Sequence, residues 1–253
     1  MAQGGVFITR GMTVAVPEGG LTLKMGRDGK VSSDLVIHVR FDVCPTWTEI
    51  AFRHLGDARA AAEQRAAAWQ DGTPDEQAAA LDREFECSMQ AIMAAAIAVD
   101  AFFAMVKPHV NLPPSLVTRW RDRRTARYSQ VTEVLRRVFR LRPAGVQALR
   151  TNLKEIYRLR DLAVHPSGKI EAPVLHPELG VGVEWRFAYF RAANAERLVN
   201  AATWILWDLS NGGDPKDPEV GRYIATLRAR LADIMPDGHP FSKEAPVSGV
   251  DDT

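Results

Sequence analysis

The period of the hydrophobic pattern changes once along this chain, near residue 45, and this change constrains the fold more than any other feature. Before it, apolar residues alternate with polar or small ones in short runs, which is typical of strands with one buried face. After it, apolar residues recur every three or four positions, as on amphipathic helices. The sequence therefore predicts a mainly α fold, a helical bundle preceded by a small N-terminal antiparallel β-sheet.

Residues 1–45 are predicted to form the β-strand region. Two segments with turn chemistry, Glu18-Gly19-Gly20 and Gly26-Arg27-Asp28-Gly29, separate the alternating runs, which predicts three or four half-buried strands. A sheet this small buries little apolar surface by itself. We therefore expect it to pack on the helices that follow.

Residues 46–235 are predicted to form the helical bundle, and residues 236–253 a disordered tail. Thr73 and Pro74 are suited to the N-cap and first position of a long helix that ends near Val106, before Pro108. The helical pattern also covers 46–69, 115–140, 146–164, 191–209 and 220–234, and a short strand is predicted over 183–187.

Composition and charge indicate a soluble cytoplasmic protein. Thirty-two basic and thirty-one acidic residues give a net charge of +1, so no global field attracts nucleic acid or membrane. Two cysteines are too few for a disulfide framework or a cysteine-built zinc site. The most apolar stretch, Ala91–Val106, falls short of the roughly 20 residues that cross a bilayer and contains Asp100. No signal peptide and no membrane association are expected.

The helix predicted over 146–164 carries an arginine where an apolar residue is expected. Its apolar positions alternate in steps of three and four, and Arg160 occupies one of them. A guanidinium there must be desolvated against other helices, or point into a cleft or a second subunit. Asp161 and His165 are four residues apart, so we expect the carboxylate to accept a hydrogen bond from the imidazole. His165 also lies in the last turn, where the helix dipole favours its cation.

The segment Leu159-Arg160-Asp161-Leu162-Ala163-Val164-His165 resembles the signature of the HEPN superfamily, an arginine, a polar residue and then a histidine near the end of a helix. The small, apolar helix over 89–106, with its single acid, is similar to the alanine-rich helix of that family. The resemblance covers roughly residues 47–210. It implies a helical domain that forms homodimers in which two such motifs face one cleft.

The resemblance implies a function as well as a fold. Many HEPN proteins are metal-independent endoribonucleases, including toxins paired with an antitoxin, while others bind RNA or protein without catalysis. In the nuclease interpretation His165 transfers protons, Arg160 binds the phosphoryl oxygens and Asp161 orients the histidine. Tyr157 and Arg158 are supporting residues, and no metal or cofactor is expected. In the alternative, structural interpretation, Arg160 pairs with Asp100 in the core, His165 only ends the helix, and the protein is a dimeric scaffold.

Two further features bear on partners. Asp100 is the sole charge in its apolar stretch, so burial demands a cationic or donor partner, either a neighbouring helix or the active site. Residues 113–142 contain nine arginines against two acids, whereas residues 56–86 carry an excess of five acids. The arginines fit phosphate recognition, with Trp120 and Tyr128 as stacking partners, or else the two charged segments attract each other. The predicted RNA-binding residues are Arg119, Arg121, Arg123, Arg124 and Arg127.

Overall fold

The structure is a computed structural model that describes residues 6–165 and 168–243. The chain divides into two compact units, Met1–Val43 and Cys44–Thr253. The first contains strands and the second is almost entirely helical, which confirms the predicted mainly α class.

The N-terminal unit is one bent two-stranded β-ribbon. Its first leg pairs antiparallel with its second, from Met12 opposite Phe41 to Met25 opposite Val31, and each leg is interrupted once. The turn at the tip places Gly29 at φ 75°, a conformation that favours glycine. The prediction of half-buried strands is wrong, because nearly every ribbon residue is exposed, whereas the packing of this unit on the helices stays a prediction. The strands are β1 (Met12–Ala15), β2 (Leu21–Met25), β3 (Val31–Leu35) and β4 (His38–Phe41).

The second unit contains eight α-helices and one short strand pair among its described residues. The helices are α1 (Cys44–Asp71), α2 (Pro74–Val106), α3 (Pro114–Asp122), α4 (Arg127–Val138), α5 (Pro143–Val164), α6 (Trp185–Tyr189), α7 (Ala192–Asn211) and α8 (Pro218–Ile234), and the strands are β5 (Val174–Leu175) and β6 (Gly182–Val183). Helix α2 is followed directly by a 3₁₀ turn at Lys107–His109.

Helix α2 is the centre of this unit and packs against α1, α4, α5 and α7. It begins as predicted, with Thr73 as N-cap and Pro74 at its first position, and Glu76 completes a capping box. Alanines along its middle are fully buried, which lets the long α1 approach closely as an antiparallel partner. Further along, the ring of Phe102 stacks on that of Phe139, with centroids 6.0 Å apart.

Three local predictions are wrong. The helix expected over 115–140 is broken at 123–126, where Arg124 takes the left-handed φ of 47° and the chain turns from α3 into α4. The strand expected over 183–187 is a two-residue strand followed by the short α6. Residues 236–243, assigned to a disordered tail, contain a 3₁₀ turn and the fully buried His239, while 244–253 lie outside the described residues.

One described helix, α2 with its 3₁₀ extension, is long and apolar enough to cross a membrane. More than half of its most apolar window is buried inside the second unit, as expected for the central helix of a bundle.

Candidate functional site

The candidate site lies at the C-terminal end of α5. One face of this helix is buried through Leu149, Leu153 and Ile156, which fixes its orientation on the bundle. The helix ends at His165, whose backbone leaves helical geometry with φ −120° and ψ 77° while its N–H still donates to the Asp161 carbonyl at 2.9 Å. The side chains of the last turn therefore lie beyond the buried part of the helix.

Arg160 is half-buried, with 34% of its side chain exposed. Its Nη1 donates a hydrogen bond to Asp161 Oδ1 at 2.9 Å, and the carboxylate is itself more exposed than the arginine. The predicted pairing of Arg160 with Asp100 in the core is wrong. The guanidinium is partly exposed and is paired with a carboxylate. Its remaining N–H groups can bind an anion at the surface.

The expected hydrogen bond between Asp161 and His165 does not form. In the part of the chain that the structure describes, no hydrogen bond or ion pair joins their side chains, and His165 is exposed. The physical reason is the backbone at His165, because residues four apart share a face only while both are helical. Asp161 is therefore placed to position Arg160 rather than the imidazole.

Asp100 is the acceptor of a compact cluster between α2, α4 and α5. Its Oδ1 accepts two hydrogen bonds from Arg127, at 2.9 and 2.7 Å, and one from the Tyr157 hydroxyl at 2.8 Å. The Arg127 guanidinium also lies 4.2 Å from the centre of the Phe103 ring. Burial, together with the charge of Asp100, raises the pKa of Tyr157 far above its ordinary value, so this hydroxyl stays a donor.

This cluster bears on two predictions. The cation that pairs with Asp100 is Arg127, which the sequence assigned to RNA binding, and two of its N–H groups are already committed. Tyr157, expected to support the Arg160 site, donates to Asp100, and its supporting role stays a prediction. Arg158, the other supporting residue, donates to Glu155 at 3.1 Å and lies 5.2 Å from the centre of the Tyr189 ring.

The remaining predicted RNA-binding residues form an exposed arginine surface on α3 and the turn after it. Arg121 has an exposed acidic neighbour, Asp122, at 3.7 Å. Within residues 6–165 and 168–243, no acidic side chain pairs with the other three. Trp120 packs partly against the core, so only part of its ring can stack on a base. We call Arg119, Arg121, Arg123 and Arg124 the α3 arginine surface.

The most deeply buried cation among the described residues, Arg65 on α1, was not predicted from the sequence. It is 3% exposed and donates hydrogen bonds to Glu84 on α2 and to Glu178 in the β5–β6 turn. Arg191 donates to the other oxygen of Glu178, and Glu84 also accepts the N–H of Ala192 at 2.8 Å. The network ties the β5–β6 segment and the start of α7 to the α1–α2 pair.

A signal for this network exists in the sequence. On α1 the buried positions 51, 55, 58 and 61 lead at helical spacing to Arg65, and on α2 Glu84 precedes the buried 87, 88 and 91. A charge at an apolar position on each of two neighbouring helices predicts a buried pair. The acid from the β5–β6 turn, Glu178, has no such periodic signal.

Two histidines that precede prolines are fully buried, His176 and His239. In each, Nδ1 accepts a hydrogen bond from the backbone N–H of the second residue after it. The donor to His176 is Glu178, at 3.3 Å, and the donor to His239 is Phe241, at 3.1 Å. Burial lowers the pKa of both, that of His239 to about 4, and the charge of Arg65 adds to the effect at His176. Both act as turn-forming groups in the interior, unlike the exposed His165.

No protein-family model, curated protein or solved structure matches this chain. The described residues also contain no group of three or more His, Cys, Asp or Glu side chains arranged to hold a metal ion. The end of α5 and the surfaces around it are therefore the features that bear on function.

Proposed function

We propose that this protein is a metal-independent endoribonuclease of the HEPN type that acts as a homodimer. The observation that carries the proposal is the end of α5, where the half-exposed Arg160 and the exposed His165 flank one turn beside a carboxylate. Phosphodiester cleavage without a metal needs a permanent cation for the phosphate and an imidazole for proton transfer, and both groups are present.

In the proposed reaction the ribose 2′-oxygen attacks the adjacent phosphorus and its proton passes to an imidazole. The bond between phosphorus and the 5′-oxygen breaks, this oxygen takes up a proton, and a 2′,3′-cyclic phosphate remains. Arg160 binds the phosphoryl oxygens and offsets their growing negative charge. Because each chain contributes one His165, facing copies supply the base and the acid.

Asp161 has a positioning role in this proposal. Its carboxylate holds one N–H of Arg160 at 2.9 Å, which leaves the others to bind phosphate. The α3 arginine surface supplies exposed cations for the RNA backbone, which gives affinity without sequence specificity. Both cysteines, Cys44 and Cys87, are buried, which fits the reducing cytoplasm in which we place this activity. A toxin of this type implies an antitoxin as a further partner.

The test is cleavage of single-stranded RNA in excess EDTA. We expect wild-type protein to leave 2′,3′-cyclic phosphate ends and to spare a substrate whose cleavage-site riboses lack the 2′-hydroxyl. His165→Ala and Arg160→Ala should each reduce the rate at least 100-fold, the lower range for losing a proton-transfer group or a transition-state donor.

Matched controls come from outside the site. His38→Ala removes an exposed histidine from β4, and Arg222→Ala removes an exposed arginine that pairs with Glu219 on α8. Both should cut at the wild-type rate. A His165→Ala protein that folds normally and still cleaves as fast as wild type would refute the nuclease assignment.

One observation favours a second candidate, an RNA-binding module without catalysis. Asp161 contacts Arg160 and not His165, so the imidazole has no acid to orient it. This alternative predicts RNA binding without cleavage that is insensitive to His165→Ala. Each α3 arginine replaced by serine should lower the slope of log affinity against log salt by about 0.7, while Arg222→Ser leaves it unchanged.

A further inference from the structure

Each of the two strand pairs of the β-ribbon has one apolar side and one polar side. Residues directly opposite in an antiparallel pair point to the same side, so the register assigns each side chain to a side of its pair. We take the two apolar sides together as the apolar face of the ribbon. The polar face carries an ion pair between Lys24 and Asp34 at 3.9 Å. The apolar face consists of Met12, Val14, Leu21, Leu23, Met25, Val31, Leu35, Val39 and Phe41, with Ser33 as its one polar member.

The ribbon itself does not cover this apolar face. Along β2 and β3 its apolar residues are between 53% and 78% exposed. Val14, Val39 and Phe41 on β1 and β4 are also exposed. Two strands form a single layer, so no residue of the ribbon can lie across this face.

Exposure of such an apolar face to water is energetically unfavourable for a two-stranded ribbon. An isolated hairpin is marginally stable in water, and contiguous apolar patches of several hundred Å² on soluble proteins mark interaction sites. Large side chains offer roughly 150–200 Å² each when fully exposed, so the eight exposed members leave on the order of 700 Å² open. A standard interface takes about 800 Å² from each partner.

We propose that the apolar face of this ribbon docks on the same face of a second copy of the chain. The area fits, since two such faces together bury about what a stable dimer needs. Charge fits as well, because Lys24, Arg27, Lys30 and Arg40 are nearly balanced by Glu18, Asp28 and Asp34 along residues 12–41, so two ribbons do not repel. The ion pair between Lys24 and Asp34 stays on the outer, polar face, as in a two-layer sandwich with sheets about 10 Å apart.

The inference rests on the ribbon alone, stands whether or not the protein cleaves RNA, and replaces the expected packing of this face on the helices. Its partner is identified by self-complementarity, since a two-fold axis brings identical apolar patches together. The interface adds an association element that lies outside the helical unit.

The test uses the full chain and two neighbouring substitutions on opposite faces. Leu23→Lys puts a charge in the middle of the apolar face, whereas Thr22→Lys puts the same charge on the polar face, opposite Asp34. By sedimentation equilibrium we expect a wild-type dimer, an increase of about 100-fold in the dimer dissociation constant for Leu23→Lys, and no change for Thr22→Lys.

A mixing experiment separates ribbon-to-ribbon docking from other contacts. Leu23→Glu should weaken the dimer as Leu23→Lys does, and mixing the two variants should strengthen association, because opposite charges then meet across the interface. Monomeric wild-type protein across the micromolar range would overturn the proposal. So would equal effects of Leu23→Lys and Thr22→Lys. So would two Leu23 variants that associate no better when mixed than alone, which would put another surface against the ribbon.

Discussion

Arg65 and Arg160 occupy equivalent places in the helical pattern, and the structure treats them differently. Each lies at an apolar position of an amphipathic helix. Arg65 is almost completely buried and is held by Glu84 and Glu178, whereas a third of the Arg160 side chain reaches solvent and its carboxylate partner among the described residues is Asp161. The same sequence feature therefore produces an interior ion network in one place and a surface site in the other.

The difference depends on what covers the helix at that level. Around Arg65, α2 and the β5–β6 turn bring two carboxylates from elsewhere in the chain. Around Arg160, the helix ends within five residues, and the carboxylate comes from the adjacent residue. A residue on the inward face of a helix is buried only where neighbouring helices or strands extend beyond that residue. A cation near a helix end therefore remains available for a ligand.

The largest effect that tests this comparison is on folding. Arg65→Met leaves Glu84 buried without its cation, and removing one partner of a buried pair costs roughly 3–5 kcal/mol. We expect a loss of that size in the free energy of unfolding measured with urea. Arg59→Met is the matched control on the same helix, since Arg59 pairs with Glu196 in an exposed ion pair worth less than about 1 kcal/mol.

A small loss for Arg65→Met, similar to that for Arg59→Met, would contradict the assignment of Arg65 as an interior structural cation. The network would then be loosely packed or hydrated. The contrast with Arg160 would lose its basis.

Local signals explain how much of the fold the sequence predicts. Capping by Thr73, proline at the first helical position and helical periodicity place α1, α2, α5, α7 and α8 within a few residues of their ends. The break between α3 and α4 was missed because neither glycine nor proline marks it, and Arg124 adopts a left-handed conformation there. The burial of His239 depends on Thr203 and Trp204, which are distant in sequence.

The candidate site is predicted less well than the fold, for a related reason. The spacing of residues indicates which of them share a helix face, and in this way it predicts Arg160 and His165 as site residues. It does not indicate which residue forms an ion pair with a given charged side chain. Asp100 has a cationic partner as expected, but the partner is Arg127 from the Arg-rich segment. The contact between Asp161 and His165 fails because it assumes helical backbone at a residue where the helix has ended.

The second effect contrasts His239 in the interior with His165 at the end of α5. Burial lowers the pKa of His239 to about 4, whereas an unfolded histidine titrates near 6.5. The stability that comes from keeping this ring neutral is complete above pH 6.5 and is lost as the pH falls toward 4. The total loss is about 3 kcal/mol.

His239→Asn removes this titration and keeps an acceptor for the Phe241 N–H, since asparagine forms the same kind of turn. Urea unfolding at several pH values should show a smaller acid loss for this variant than for wild type. His165→Asn is the control, since it makes the same substitution at an exposed histidine. Equal acid sensitivity of His239→Asn and wild type would show that His239 does not titrate on unfolding.

The smallest effect is the most informative about the candidate site. Arg160→Ala removes a partly exposed guanidinium paired with a neighbouring exposed carboxylate, and such pairs contribute less than about 1 kcal/mol. We therefore expect nearly unchanged urea stability, together with the loss of RNA cleavage or binding described above. A functional loss without a stability loss separates a ligand-binding cation from a structural one. A drop in stability comparable to that of Arg65→Met would reverse the comparison, because Arg160 would then be held inside the bundle in solution and could not reach a phosphate.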